Sequence, residues 1–215
     1  MTEAEWLASA DAGAMVRAPE AGVAPDGRKL RLFLVACCRA VWDHVTDSRI
    51  RRLVEVSEQV ADGTVKPDVL FKPFHKAQEV ITADRYKART DPAYRRRAEL
   101  AEAVRTACGP SSGWWELSAL PGLATGSGAA EQARLARDVF GNPFRPVSFS
   151  PSWRTDTVLS LARQMYESGD FSAMPILADA LQDAGCDNEA ILSHCRGDGP
   201  HVRGCWVVDL VLGKE

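Results

Sequence analysis

Two histidines and two cysteines crowd one short stretch near the C-terminal end, "HCRGDGPHVRGCW", residues 194 to 206. His194, Cys195, His201 and Cys205 supply two imidazoles and two thiols, an N2S2 donor set suited to zinc. His201 and Cys205 stand four apart and would share a face if a helix has begun by then, while His194 and Cys195 precede a glycine bend that could fold back onto them. The spacing matches no standard zinc knuckle and contains no Cys-x-x-Cys pair. The opposing reading is two small buried thiols and two locally hydrogen-bonded imidazoles, with no cofactor bound.

The same stretch supports anion chemistry. Gly197 and Gly199 would let backbone amides turn toward a ligand, a helix starting near Pro200 would offer its positive end, and Arg196 and Arg203 would add bidentate charge. The bland alternative is a tight helix corner.

Elsewhere the chemistry-bearing residues are sparser. Cys37 and Cys38 are adjacent, so on a helix they point about 100° apart, with Cys37 in the apolar face and no matched base at a predictable distance. Arg95, Arg96 and Arg97, with Lys87, Arg89 and Arg105, form a basic run over 87–105. Successive helical positions spread three arginines over about 200° and Glu99 and Glu102 interrupt them, so a solvated face is expected rather than a phosphate stripe. No nucleophile elbow, phosphate-cradling loop, HExxH or dinucleotide fingerprint is present, and the reading leans against an enzyme. Trp114, Trp115, Phe144 and Trp153 lie in glycine- or proline-bearing segments, where large aromatics either plug a core or anchor a partner.

The elements that must position these residues read as helices throughout. Thr2 and Glu5 form a capping-box pattern, and Asp11 caps a second short turn. Asp26 is the expected N-cap of a core helix carrying Leu30, Phe33, Leu34, Cys37, Val41 and Val45. Thr46 or Asp47 caps its antiparallel partner, which Gly63 stops. Pro67 opens a third region that Pro73 is expected to break or kink, and "TDP" starts a further helix ending at Gly109. After a Gly/Ser/Pro-rich segment too apolar for a free linker, helices are expected from 127 to 140, near 156–168, 173–184 and 188–195, and from Pro200 to Leu212. Nothing alternates with period two.

The fold expected is therefore all-α: an irregular bundle of antiparallel helix pairs with Pro/Gly-rich connections. It forms one domain over 1–215, with 1–108 and 127–215 as conceivable halves joined by a pinned loop at 109–126.

From "DVFGNPFRPV" onward, and especially in "MPILADALQDAGCDNEAILSHCRGDGPHVRGCWVVDLVLGKE", the chain resembles a paralogous family of uncharacterised bacterial proteins. "MTEAEWL" and "RKLRLFLVACCRAVW" resemble that family's amino-terminal half. The resemblance implies a shared helical fold and carries no catalytic role. Residues 64 to 128 depart from the family's alanine-rich stretch.

Composition narrows the function classes. With 46% hydrophobic residues the chain can bury a core unaided, and a net charge of −3 gives no global field for nucleic acid or anionic membrane. No apolar run approaches the roughly 18 residues of a membrane span, and no leader-like start is present, which reads as cytoplasmic with reduced thiols. Together these favour a non-catalytic helical interaction or regulatory adaptor whose partner is another protein. A zinc-binding domain or metal-dependent enzyme centred on 194–205 is the alternative, and nucleic-acid association through the 87–105 face the weaker third.

Overall fold

The computed structural model describes residues 1–22, 27–110, 114–124 and 128–214, with the side chains of Trp114 and Trp115 outside the described set. Among the described residues there are twelve α-helices and no strand, an all-α fold.

Local chemistry explains most helix starts. Helix α1 (Glu3–Ala8) carries the full capping box: Glu5 N–H donates to Thr2 Oγ1 while Thr2 N–H donates to the Glu5 carboxylate. The Asp11 carboxylate caps α2 (Ala12–Arg17). The long core helix α3 (Arg28–Ala40) has Gly27 at its N-cap, and Asp26, expected there, lies outside the described residues. Asp47 caps α4 (Ser48–Ala61), and Gly63 follows it in the left-handed region. Helices α3 and α4 pack as the expected hairpin.

The third region corrects one expectation. Pro73 does not break α5 (Phe71–Lys87), because it falls in the helix's first turn, where no N–H is required and a fixed φ is already helical. Helix α6 (Ala93–Ala107) begins behind Asp91, which accepts from Ala93 N–H, and packs extensively on α5. The segment expected as a pinned loop is more ordered than that. Residues Trp114–Ala119 form a 3-10 turn leading into α7 (Leu120–Leu123), with Leu117, Leu120 and Leu123 buried. Helix α8 (Gly128–Phe140) then returns along α3.

Helices α1 to α8 share one large apolar cluster that includes Trp6, Met15, Phe33, Leu53, Ile81 and Val139. Helices α9 (Asp156–Ser168), α10 (Met174–Asp183), α11 (Glu189–Arg196) and α12 (Trp206–Leu212) enclose a second, around Met165, Leu177, Ile191 and Val208. The seam between the clusters follows the proline segment after α8 rather than residues 109–126, since α7 and α8 bury into the first cluster.

Apolar contacts such as Val202 against the first cluster cross the seam, and so do several ion pairs. Arg28 on α3 forms a fork to Asp209 on α12 at 2.7 and 3.1 Å and also donates to the Tyr166 hydroxyl on α9. Lys29 lies 2.7 Å from Asp209, and Arg203 reaches Glu58 on α4 at 3.0 Å. Asp209 and Glu58 are both buried, so each relies on these cations for the solvation that water would otherwise give. No described helix is long and apolar enough to cross a membrane.

Candidate metal centre

Helix α12 starts at Trp206, not at Pro200. Residues 200 to 205 form a tight turn instead, and Gly204 makes it possible: its φ of +93° is left-handed, and a Cβ there would meet Leu32 Cβ at 3.1 Å. His201 and Cys205 are consequently not neighbours on one helix face. The turn curls both back toward α11, and the helix before it delivers His194 to the same point.

The fourth arm comes from a residue that sequence reasoning did not single out. Asp138 lies on α8 and is buried, with 3% of its side chain exposed. Its Oδ1 sits 3.2 Å from His194 Nε2 and 2.9 Å from His201 Nδ1, and its Oδ2 accepts from Val202 N–H at 3.0 Å. His194 Nε2 is also 3.2 Å from Cys205 Sγ. One donor atom from each of Asp138, His194, His201 and Cys205 lies within 4.8 Å of every other. That buried cluster could hold a metal ion.

Cys195 does not belong to it. It faces the second apolar cluster, fully buried, and burial pushes its thiol up to about 12. The reason is helical geometry: adjacent positions point about 100° apart, so a helix that aims His194 at the seam aims Cys195 into the core.

The two acids of the cluster respond to their surroundings in opposite directions. Burial alone would raise the Asp138 carboxyl, but hydrogen bonds from His194 and His201 outweigh that and hold it below the usual range. Burial and the nearby Asp138 charge push the Cys205 thiol well up, even though Val207 and Val208 N–H groups at the start of α12 favour its thiolate. His201 Nε2 is buried with no hydrogen-bond partner, an uncommon state for an imidazole nitrogen. A divalent cation would offset the thiolate's cost and attract the carboxylate.

No protein-family model, no curated protein and no solved structure matches this chain.

The residues considered for anion binding do not converge. Arg196 donates to Asp179 at 2.9 Å and to Gln182 at 2.6 Å on α10. Arg203 is held by the Tyr166 and Glu167 carbonyls and by Glu58. Gly197 has an ordinary φ of −73°, Gly199 stands in open space, and the expected helix start at Pro200 is absent. Of the aromatic anchors, Phe144 is half-buried against the first cluster, and Trp153 against the second, edge-on to Phe149 at 5.3 Å. The side chains of Trp114 and Trp115, also expected as anchors, lie outside the described residues.

Two openings flank the cluster. His194 borders a groove of about 1070 Å³ whose walls include Leu7, Phe140, Val147, Trp206 and Leu210. His201 borders a separate cleft of about 260 Å³ beside Glu58 and Arg203. Asp138 and Cys205 border neither.

Sequence signals for the missed residues exist in hindsight. Asp138 falls on the same face as Leu135, and Asp209 interrupts the apolar run "WVVDLVL"; a lone acid on a buried face must have a partner.

Proposed function

We propose that the chain is a metal-clasped helical module. Asp138, His194, His201 and Cys205 hold one divalent transition metal, zinc by the chemistry of the donors, and the ion fastens helices α9 to α12 onto helices α1 to α8. The observation carrying this reading is that the four donors come from three separate segments on both sides of the seam, yet lie within 4.8 Å of one another in a buried pocket.

Donor type supports zinc over harder ions. Imidazole and thiolate suit zinc, whereas magnesium and calcium prefer all-oxygen shells. Four protein donors complete a tetrahedron and leave no position for substrate, which favours a structural over a catalytic role. Binding would release the Cys205 proton, so affinity should rise with pH. The test is elemental analysis of untagged protein: one zinc per chain, lost in His201→Ala and in Cys205→Ala, is expected, and less than a tenth of an equivalent after growth with added zinc would overturn the reading.

An interaction-module reading keeps one observation in its favour. The groove beside His194 has an apolar wall that includes Leu7, 55% exposed, and basic residues such as Arg28, Arg145 and Lys214 on its lining. Such a groove suits an apolar segment with acidic flanks on another protein. An anionic apolar dye should bind the native protein and lose affinity on Leu7→Glu; no binding by the native protein removes this second reading.

A further inference from the structure

Residues 85 to 97, "RYKARTDPAYRRR", hold six cations and one anion in a chain whose net charge is −3. They span the end of α5, the connection and the first turn of α6, so the fold gathers them at one hairpin tip. Two of the six are neutralised: Arg85 pairs with Glu102, and Arg97 lies 3.4 Å from the buried Asp84. Lys87, Arg89, Arg95 and Arg96 are exposed, and among the described residues none has a carboxylate partner.

A solvated helix face accounts for only part of this. Lys87 in the last turn of α5 sits at the negative end of that helix's dipole, where a cation is favoured. Arg95 and Arg96 occupy the first turn of α6, which contains no acidic residue. That end is positive, and a cation there is destabilising. Their placement breaks a local stability rule with no compensating contact, the pattern expected of residues kept for a ligand.

The tip is also aromatic. Tyr86 is 71% exposed, with the Arg89 guanidinium 5.5 Å from its ring centroid. Half-buried Tyr94 has Lys87 at 5.0 Å and Arg97 at 5.2 Å from its ring. Aromatic faces interleaved with unpaired cations form the stacking and phosphate-neutralising surface by which single strands are held without sequence preference. A membrane surface fits less well. An interfacial helix needs an apolar face beside its cations, and the exposed Val69 and Phe71 lie at the opposite end of α5 from Tyr86.

We propose that the α5–α6 tip binds single-stranded nucleic acid, with an unstacked base on Tyr86 and phosphates on Lys87, Arg89, Arg95 and Arg96. The whole protein is titrated into a labelled oligo-dT of about 20 nucleotides, followed by fluorescence anisotropy over a range of salt. With about four phosphates neutralised, the logarithm of affinity should fall against that of salt with a slope of about −3. Tyr86→Ala should weaken single-strand binding by about 5- to 150-fold, the range for one stacked base, and leave binding to a duplex of the same length unchanged. Combined Arg95→Gln and Arg96→Gln should halve the slope without lowering the melting temperature, since both charges sit at an unfavourable helix end. The Tyr86 variant removes only an exposed ring, so it remains informative if the charge variant fails to fold. Absence of salt-dependent binding, indifference to Tyr86→Ala, or binding to phosphatidylserine vesicles as tight as to oligo-dT would each overturn the proposal.

Discussion

Asp138 Oδ1 and His201 Nδ1 lie 2.9 Å apart although 63 residues separate them in the chain. The contact joins a helix of the first apolar cluster to the turn that introduces the last helix of the second. Asp138 also receives Val202 N–H and faces His194, so one buried carboxylate serves three groups. Asp138→Ala in metal-free protein should therefore cost about 2–4 kcal/mol, more than the loss of one hydrogen bond, because its partners stay buried without an acceptor. Urea denaturation of the two proteins measures it.

Metal binding should stabilise the fold through ordinary linkage. Zinc at about a thousand times its dissociation constant adds about 4 kcal/mol, which for a chain of this size raises the melting temperature by about 8–16 °C. Cys205→Ser should abolish the shift and Cys195→Ser should preserve it, because only Cys205 belongs to the cluster. Equal loss in both variants would sink the assignment of Cys205 as the ligand.

All six cysteines are buried; burial raises the thiols of Cys37, Cys195 and Cys205, and a hydrogen bond with Cys108, then burial, raises that of Cys38. Thiolate, not thiol, reacts, so native protein should show no fast-reacting cysteine toward a colorimetric disulfide reagent near pH 8, and all six should react in denaturant. A single fast thiol in the native state would mean that one of these side chains is solvent-accessible.

Much of this fold was legible in the residues because short-range rules govern it. The Thr2–Glu5 box, the Asp11 and Asp47 caps and the Gly63 stop act within one helical turn, and each forms as the spacing predicts. The turn at 200–205 was not legible in the same way, since its shape depends on Gly204 lying against Leu32 of a distant helix. The metal cluster was half legible for the same reason. His194, His201 and Cys205 announce themselves by type and proximity, whereas Asp138 is one acid among many until the packing of α8 is known. Grouping Cys195 with His194 failed on local geometry, because neighbours on a helix cannot both face one point.

Asp47 offers a test of pH dependence away from the cluster. Its carboxylate bonds the Arg49 side chain and Arg49 N–H, and these hold its pKa below the usual value. The sign follows from linkage: a depressed folded-state pKa contributes stability that is present above the unfolded value, near 4, and is lost as pH falls through the lower folded value. Asp47→Ala should cost about 1 kcal/mol at pH 7, the usual worth of an N-cap. The gap between the two proteins should narrow as the pH falls below the unfolded value and on through the depressed folded one, measured by urea denaturation at each pH. A gap that stayed constant would show that the capping interaction does not depend on the charge.

The polar seam makes a last prediction that separates attraction from desolvation. Asp209 is 2% exposed and faces both Arg28 and Lys29, which retain 15% and 27% of their side-chain exposure. Either cation alone can still neutralise the acid, so Arg28→Met should be mild. Arg28→Met with Lys29→Met leaves a nearly buried carboxylate without its cations, and about 3–5 kcal/mol should be lost. Adding Asp209→Leu removes the stranded charge and should restore most of that loss, since an apolar replacement of a buried ion group is often neutral or better. A triple variant no more stable than the double would show that Asp209 matters for shape at the seam and that its charge does not.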